Sequence, residues 1–423
     1  MHKFRIALIS LLFTFTGFTQ IEEVRRITQT LCASEFHGRG YVQKGDSIAA
    51  AFIVEEFKKI NVGPFNGTYL QPFELDVNTF PSKMSVSQNG VELTPGKDFI
   101  IHPSATGGIA KYDLLELTAS ELLDLDNIRD VIRKVKLDVN SSTALLIDYT
   151  IMHEDSVKKV KEIALEIATL LPVIQLVDTK FTWSVGREQA FYPFFEVQSN
   201  AIDKSKPLSI DVDAQMIQNY GSQNVMAYIP SKKKCTKTVM FTAHYDHLGR
   251  MGSNTFFPGA NDNASGTAML LTMAKYFEAH PLKYNVLFVA FAGEEAGLVG
   301  SKFFIENPPL PLKKIRFLFN LDIMGSGEDG VTIVNATLFE KEFQLLQDIN
   351  TEKELLAQVK SRGPAANSDH YWFTEKGVPA FFMYTMGPNK HYHDIFDEYE
   401  ELSFEEYNDI TTLLIEFVQR LKK

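Results

Sequence analysis

From Asn224 onward the chain alternates. Mostly apolar runs at residues 239–242, 285–291, 315–321 and 378–384 are interleaved with helical candidates at 265–279, 299–306, 339–350 and 368–376, and an amphipathic stretch at 404–422 closes the series. Apolar runs of this kind suit strands covered on both faces. Strands alternating with helices predict an α/β fold, a mostly parallel mixed sheet with helices on both faces. In such sheets ligands gather beyond the carboxyl ends of the strands. Polar residues stand at those ends here. His244 follows the first run, Glu294 and Glu295 the second, Asp322 the third, and His393 lies in the loop after the fourth. Asp262 sits before a helix start in Gly259-Ala-Asn-Asp262-Asn-Ala-Ser-Gly266. Imidazole and carboxylate together are the donors of a hydrolytic zinc centre.

The remainder sets the surroundings. Hydrophobic content of 45% and charged content of 22% are ordinary for a folded chain and argue against extensive disorder. A net charge of -11 argues against nucleic acid or an anionic membrane as the main partner. A basic start, Met1-His-Lys-Phe-Arg5, precedes an apolar run at 6–18, which predicts a signal peptide over 1–19. The run falls short of the ~20 residues of a spanning helix. The expectation is an exported protein, periplasmic or secreted, with no integral span after cleavage. Helical spacing at 21–32 and 47–60 and a strand at 68–77 make 20–79 the N-terminal part of the catalytic domain. Between 80 and 221 the texture changes. Strand candidates at 144–149, 172–177 and 191–197 alternate with helical pieces at 120–136 and 156–171, and no ligand cluster occurs, so this stretch is expected to be an inserted α+β domain. The catalytic domain proper is expected over 222–423. Cys32 and Cys235 are too few for a cysteine zinc site and are expected as buried free thiols.

Each candidate has a plainer reading beside the functional one. His244 followed by Asp246 is weak alone, but Asp246 is placed to orient the imidazole, as zinc-bound histidines require. His247 is adjacent and receives no role. Asp262 could serve only as a helix cap, yet Asn263 and Ser265 can also cap, and an additional carboxylate suits a bridging ligand. Two adjacent buried carboxylates, Glu294 and Glu295, repel, and one is driven neutral unless a cation is present. A metal ligand beside a general base resolves that conflict. Asp322 ends a deeply apolar run and needs a partner. Of His391 and His393, His393 is favoured because Asp397 stands four residues on.

Together these motifs resemble the zinc aminopeptidases of the M28 peptidase family, which are two-metal exopeptidases. The likeness covers about 224–423 and is weaker over 35–75, where Gly38-Arg39 is similar to the family's lead-in. The resemblance implies two Zn2+ per chain, one held by His244, Asp262 and Asp322, the other by Asp262, Glu295 and His393. It implies Glu294 as general base and Tyr392 as the group polarising the scissile carbonyl, with Asp246 and Asp397 behind the ligands. It implies peptide substrates with a free N-terminus. Many relatives carry a protease-associated insert where 80–221 lies. Ser368-Asp369-His370 resembles a motif that recurs in relatives and is assigned a structural role.

Two competitors remain. Glutaminyl cyclase, a single-zinc acyltransferase of the same fold, shares several motifs, but the segments 261–266 and 295–301 look like the peptidase versions. A catalytically inactive binding ectodomain is opposed by the retention of Glu294 and every ligand. Serine-hydrolase and His-Glu-x-x-His signatures are absent.

Overall fold

The computed structural model describes residues 21–138, 142–233 and 235–422, so the expected signal peptide lies outside the described residues. At the centre of the catalytic sheet, Asn285–Phe291, Thr238–His244, Ile315–Leu321 and Ala380–Thr385 run parallel in that spatial order. Antiparallel neighbours flank them, with Gln215–Ile229 on one side and Val331–Val334 on the other. The fold is therefore mixed α/β, parallel in the middle and antiparallel next to it.

Strand residues alternate between faces, and the burial follows that period. Val239, Phe241, Ala243, Val286, Phe288, Ala290, Phe317 and Phe319 enter one core. Met240, Leu287, Val289, Phe291 and Leu318 enter another on the opposite face. On the first face Phe241 stacks on Phe277, Phe288 and Phe319, with ring centroids 5.8–5.9 Å apart. Helices Gly266–Ala279 and Tyr407–Arg420 cover that face, and helices Val299–Glu306 and His370–Glu375 contribute Phe304 and Phe373 to the other. With both faces covered, the exposed end of the sheet is what remains for chemistry. The register keeps that end level, since His244 pairs with Phe291, and Thr242 pairs with Asn320, two residues before Asp322.

Leu70–Thr79 and Gln215–Ile229 form a long antiparallel ribbon from this sheet, with Leu70 paired to Val225 and Thr79 to Gln215. Between them the chain builds a second sheet of eight strands, whose hydrophobic core also takes in Leu248, Met251 and Phe257. Its parallel centre, Gly108–Leu117, Thr143–Asp148, Val173–Val177 and Phe194–Gln198, is packed by helix Glu154–Ala168. The helical piece expected over 120–136 is two helices. Asp124 ends the first and caps the second by accepting from the Asp126 and Asn127 amides. Cys32 and Cys235 are free thiols, each half-buried rather than fully enclosed. No helix among the described residues is long and apolar enough to cross a membrane.

Candidate metal centre

Each candidate side chain stands at the end of a strand or in a turn beyond one. His244 is the last residue of its strand, and its carbonyl accepts from Thr267 Oγ1 on the adjoining helix. Asp262 lies in the buried turn 260–265 that leads into helix Gly266–Ala279. That helix starts so close to the end of the third strand that a Cβ at Gly266 would meet the Leu321 carbonyl oxygen at 2.5 Å, so glycine is required there. Asn263 secures the same junction, donating to the Leu321 carbonyl and accepting from the Gly266 and Ile323 amides.

The carboxylate of Asp262 stands between two imidazoles. Its Oδ1 is 3.2 Å from His244 Nε2, and its Oδ2 is 3.2 Å from His393 Nε2. Each imidazole faces a second acid as well. His244 Nε2 is 3.3 Å from Asp322 Oδ1, and His393 Nε2 is 3.1 Å from Glu295 Oε2. The Nδ1 atoms point away to backbone carbonyls, that of Asp246 at 3.2 Å for His244 and that of Trp183 at 2.9 Å for His393. A carbonyl only accepts, so each Nδ1 carries a proton, and Nε2 is the atom each ring turns toward its two carboxylates.

The surrounding groups hold this set in place. Asp246 accepts from the Glu294 and Glu295 amides at 3.2 and 3.4 Å, tying the first ligand turn to the second, and Tyr41 donates to it at 3.4 Å. Ser368 donates to Asp322 Oδ2 at 2.9 Å and accepts from Asn320, which in turn accepts from Thr242. Arg39 is fully buried and donates to five carbonyl oxygens, including those of Tyr245, Gly259 and Asp262. Asp397 has a different place from the one expected. The His393 ring takes the Trp183 carbonyl instead, and Asp397 accepts from the Asn261 and Asp262 amides at 3.0–3.1 Å. His391 lies outside the cluster, its Nδ1 3.3 Å from Asp394. His247, given no role from sequence, has Nδ1 2.8 Å from Glu295 Oε1 and fixes the second oxygen of that carboxylate. Only its position beside His244 hinted at this, because the chain must turn before the contact exists.

Electrostatics divide the two adjacent glutamates. Burial, reinforced by Glu295, Asp369 and Asp322, pushes the Glu294 carboxyl well above its ordinary range. Burial also acts to raise Glu295, but the charge of His393 together with hydrogen bonds to His247 and His393 outweighs it and brings Glu295 down to about 2. Burial opposes charging His393, yet Glu295 and Asp262 push its imidazole up to about 11. Four carboxylates thus converge on two imidazoles. Asp262, Asp322 and His244 offer donor atoms within 4.8 Å of one another, as do His244, Glu294 and Glu295. The same spacing joins His247, Asp262 and Glu295, and a donor set of this kind can hold a divalent cation.

A cleft of roughly 230 Å³ opens on these acids, walled by Ile323, Arg362, Asn367, Phe382, Tyr384 and Tyr392. Tyr392 stacks on the His393 ring at 3.8 Å. Burial, then Asp262 and Glu295, push its hydroxyl above its ordinary range, so it stays a donor.

The fold is similar to that of solved aminopeptidase structures. BSAP, a zinc aminopeptidase from Bacillus subtilis, superposes with a TM-score of 0.66 at 19% identity, covering 95% of this chain and 96% of that one. The Peptidase M28 precursor from Shewanella amazonensis SB2B gives a TM-score of 0.65 at 15% identity, covering 95% and 96%. At these identities the likeness is one of fold. In sequence, Aminopeptidase YwaD of Bacillus subtilis (strain 168) is 30% identical over 236 residues, 53% of this chain and 50% of that protein. The chain thus matches about half the length of that curated relative. Residues 224–418 match the model of Peptidase family M28.

Proposed function

We infer that this chain is a metal-dependent aminopeptidase that releases the N-terminal residue of peptides with two zinc ions. One observation carries the reading: the two oxygens of Asp262 each face the Nε2 atom of a different histidine, and each histidine faces one further carboxylate. His244, Asp262 and Asp322 would hold one ion, and Asp262, Glu295 and His393 the other. Bound there, the ions supply Lewis acidity toward a carbonyl and make water more acidic.

The chain's own residues do the remainder. Glu294 lines the cleft and is kept outside the two proposed ligand sets. It takes a proton from the attacking water and delivers it to the leaving amine. Tyr392 offers its hydroxyl to the carbonyl oxygen as negative charge develops there. The acids lining the cleft attract the substrate's α-ammonium, which limits cleavage to one residue from the terminus. Ile323, Phe382 and Tyr384 form the apolar part of the wall around the side chain.

Residues 1–19 are proposed as a cleaved export signal, which would place the enzyme in the periplasm or outside the cell. Aminoacyl-p-nitroanilides test the activity: zinc-loaded protein should release nitroaniline, and no turnover would refute the peptidase reading. Metal analysis separates the glutaminyl cyclase alternative, which requires one zinc per chain rather than two.

A further inference from the structure

The last ligand turn is held largely from outside the catalytic sheet. His393 has φ 59°, a left-handed conformation that side-chain-bearing residues rarely adopt. Such a conformation persists only where the surroundings over-determine it. Here the surroundings come from residues 180–183, which lie between strands Val173–Val177 and Phe194–Gln198 of the second sheet. The Trp183 amide donates to the His393 carbonyl at 3.0 Å, and the Trp183 carbonyl accepts from His393 Nδ1 at 2.9 Å. Lys180 Nζ donates to the Lys390 and Tyr392 carbonyls at 2.6 and 2.8 Å and pairs with Asp394 at 2.9 Å. This segment is itself anchored. Trp183 Nε1 donates to the Ile101 carbonyl in the second sheet at 2.7 Å, and the indole stacks on Phe257 at 4.7 Å and 18°.

His244 shows the contrast. Its Nδ1 is oriented by the carbonyl of Asp246, two residues away in the same turn. The orienting carbonyl of His393 is 210 residues away in sequence.

We propose that the inserted unit is a working part of the metal centre: Lys180 and Trp183 are positioning residues that fix the tautomer and direction of His393, and they govern retention of the ion on the Glu295 side. The inference rests on the two-ion reading above. The partner that orients a ligating imidazole commonly changes metal affinity 10- to 100-fold, roughly, when lost. Loosening the Lys180–Trp183 segment should therefore weaken one ion and spare the other.

The test is release of zinc from fully loaded protein into excess colorimetric chelator. Two phases are expected, with Asp322→Asn accelerating the one that belongs to the His244 side. Lys180→Met should speed the other phase by about 10-fold or more, and Lys180→Arg should restore it in part. Trp183→Phe keeps the stack on Phe257 but lacks the donor to Ile101, and it should act in the same direction. Long-range proton–nitrogen spectra of histidine-labelled protein should show His393 protonated at Nδ1 in the parent, with faster exchange of that proton in Lys180→Met. Circular dichroism melting checks that each variant is folded; should Trp183→Phe fail to fold, Lys180→Met decides alone. Parent protein that binds no zinc overturns the two-ion reading, and this inference with it. Parent protein that binds two, with folded Lys180→Met releasing both at the parental rate, overturns this inference alone.

Discussion

The guanidinium of Arg39 reaches the carbonyl oxygen of Asp262 at 3.2 Å, joining the N-terminal segment to the residue on which both histidines converge. The same side chain bonds Tyr245, Pro258, Gly259 and Leu31 through their carbonyls. Its neighbours Gly38 and Gly40 pass the chain so near Gly249 that a Cβ on either would lie 2.4 Å from its backbone. The planar five-donor fork has no substitute in lysine. Arg39→Lys should lower stability by about 2 kcal/mol or more, because carbonyls are left unsatisfied around a buried charge. Urea unfolding followed by circular dichroism measures this, and an unchanged midpoint would show the network to be idle.

In the proposed two-ion site Asp262 is shared and Asp322 is not. Asp262→Ala should therefore lose both ions, while Asp322→Ala should lose mainly one. Elemental analysis after dialysis against low free zinc reads the count. One zinc remaining in Asp262→Ala would mean that the two sites do not share this carboxylate.

Glu294 should separate chemistry from metal binding. Glu294→Gln is isosteric and lies outside both proposed ligand sets, so zinc content should stay at the parental level. Turnover of an aminoacyl-p-nitroanilide should fall by about 100- to 10,000-fold, the usual contribution of a general base. Loss of zinc along with activity would assign Glu294 to the coordination sphere instead.

Far from the centre, Glu56 supplies a pH-dependent contribution. Burial raises this carboxyl, but hydrogen bonds from Arg26 and Lys59 outweigh it and hold it below its ordinary value. A folded-state value below the unfolded one, near 4.3, means stability that is present above that pH. It is lost as pH falls through the lowered folded value. Urea midpoints between about pH 6 and 3 should drop less steeply in Glu56→Gln than in the parent. Parallel curves would leave the pair without a role in acid stability.

The parallel centre of the catalytic sheet was legible because its strands are buried on both faces and therefore read as continuous apolar runs. Asn285–Phe291, Val299–Glu306 and Ile315–Leu321 lie where that reading puts them. Other strands escaped it. Gly108–Leu117 has most of its residues at least partly exposed, and Val331–Val334 is only four residues long, so neither makes a conspicuous run. Among site residues, the sequence pointed to His244, Asp262, Glu295, Asp322 and His393, and the structure gathers all five. It did not point to the contact of His247 with Glu295, or to the Trp183 carbonyl on His393. A backbone oxygen has no identity in the sequence, and its partner is set by tertiary folding. Asp397 illustrates the converse error. Spacing of four residues suggested contact with His393, but the loop turns and the carboxylate caps the Asp262 turn instead.

The chain departs from the catalytic sheet at Thr79 and re-enters it at Gln215, and those two residues are ladder partners. A unit whose two ends meet across one rung can be lengthened, trimmed or exchanged without disturbing the register on either side. For this chain that freedom is limited where Leu248, Met251 and Phe257 enter the second core and where residues 180–183 lean on His393. Any replacement would have to fill the same apolar contacts and present a carbonyl oxygen at the same point in space, so the architecture is modular in its strand register and particular in what it lays against the ligand turn.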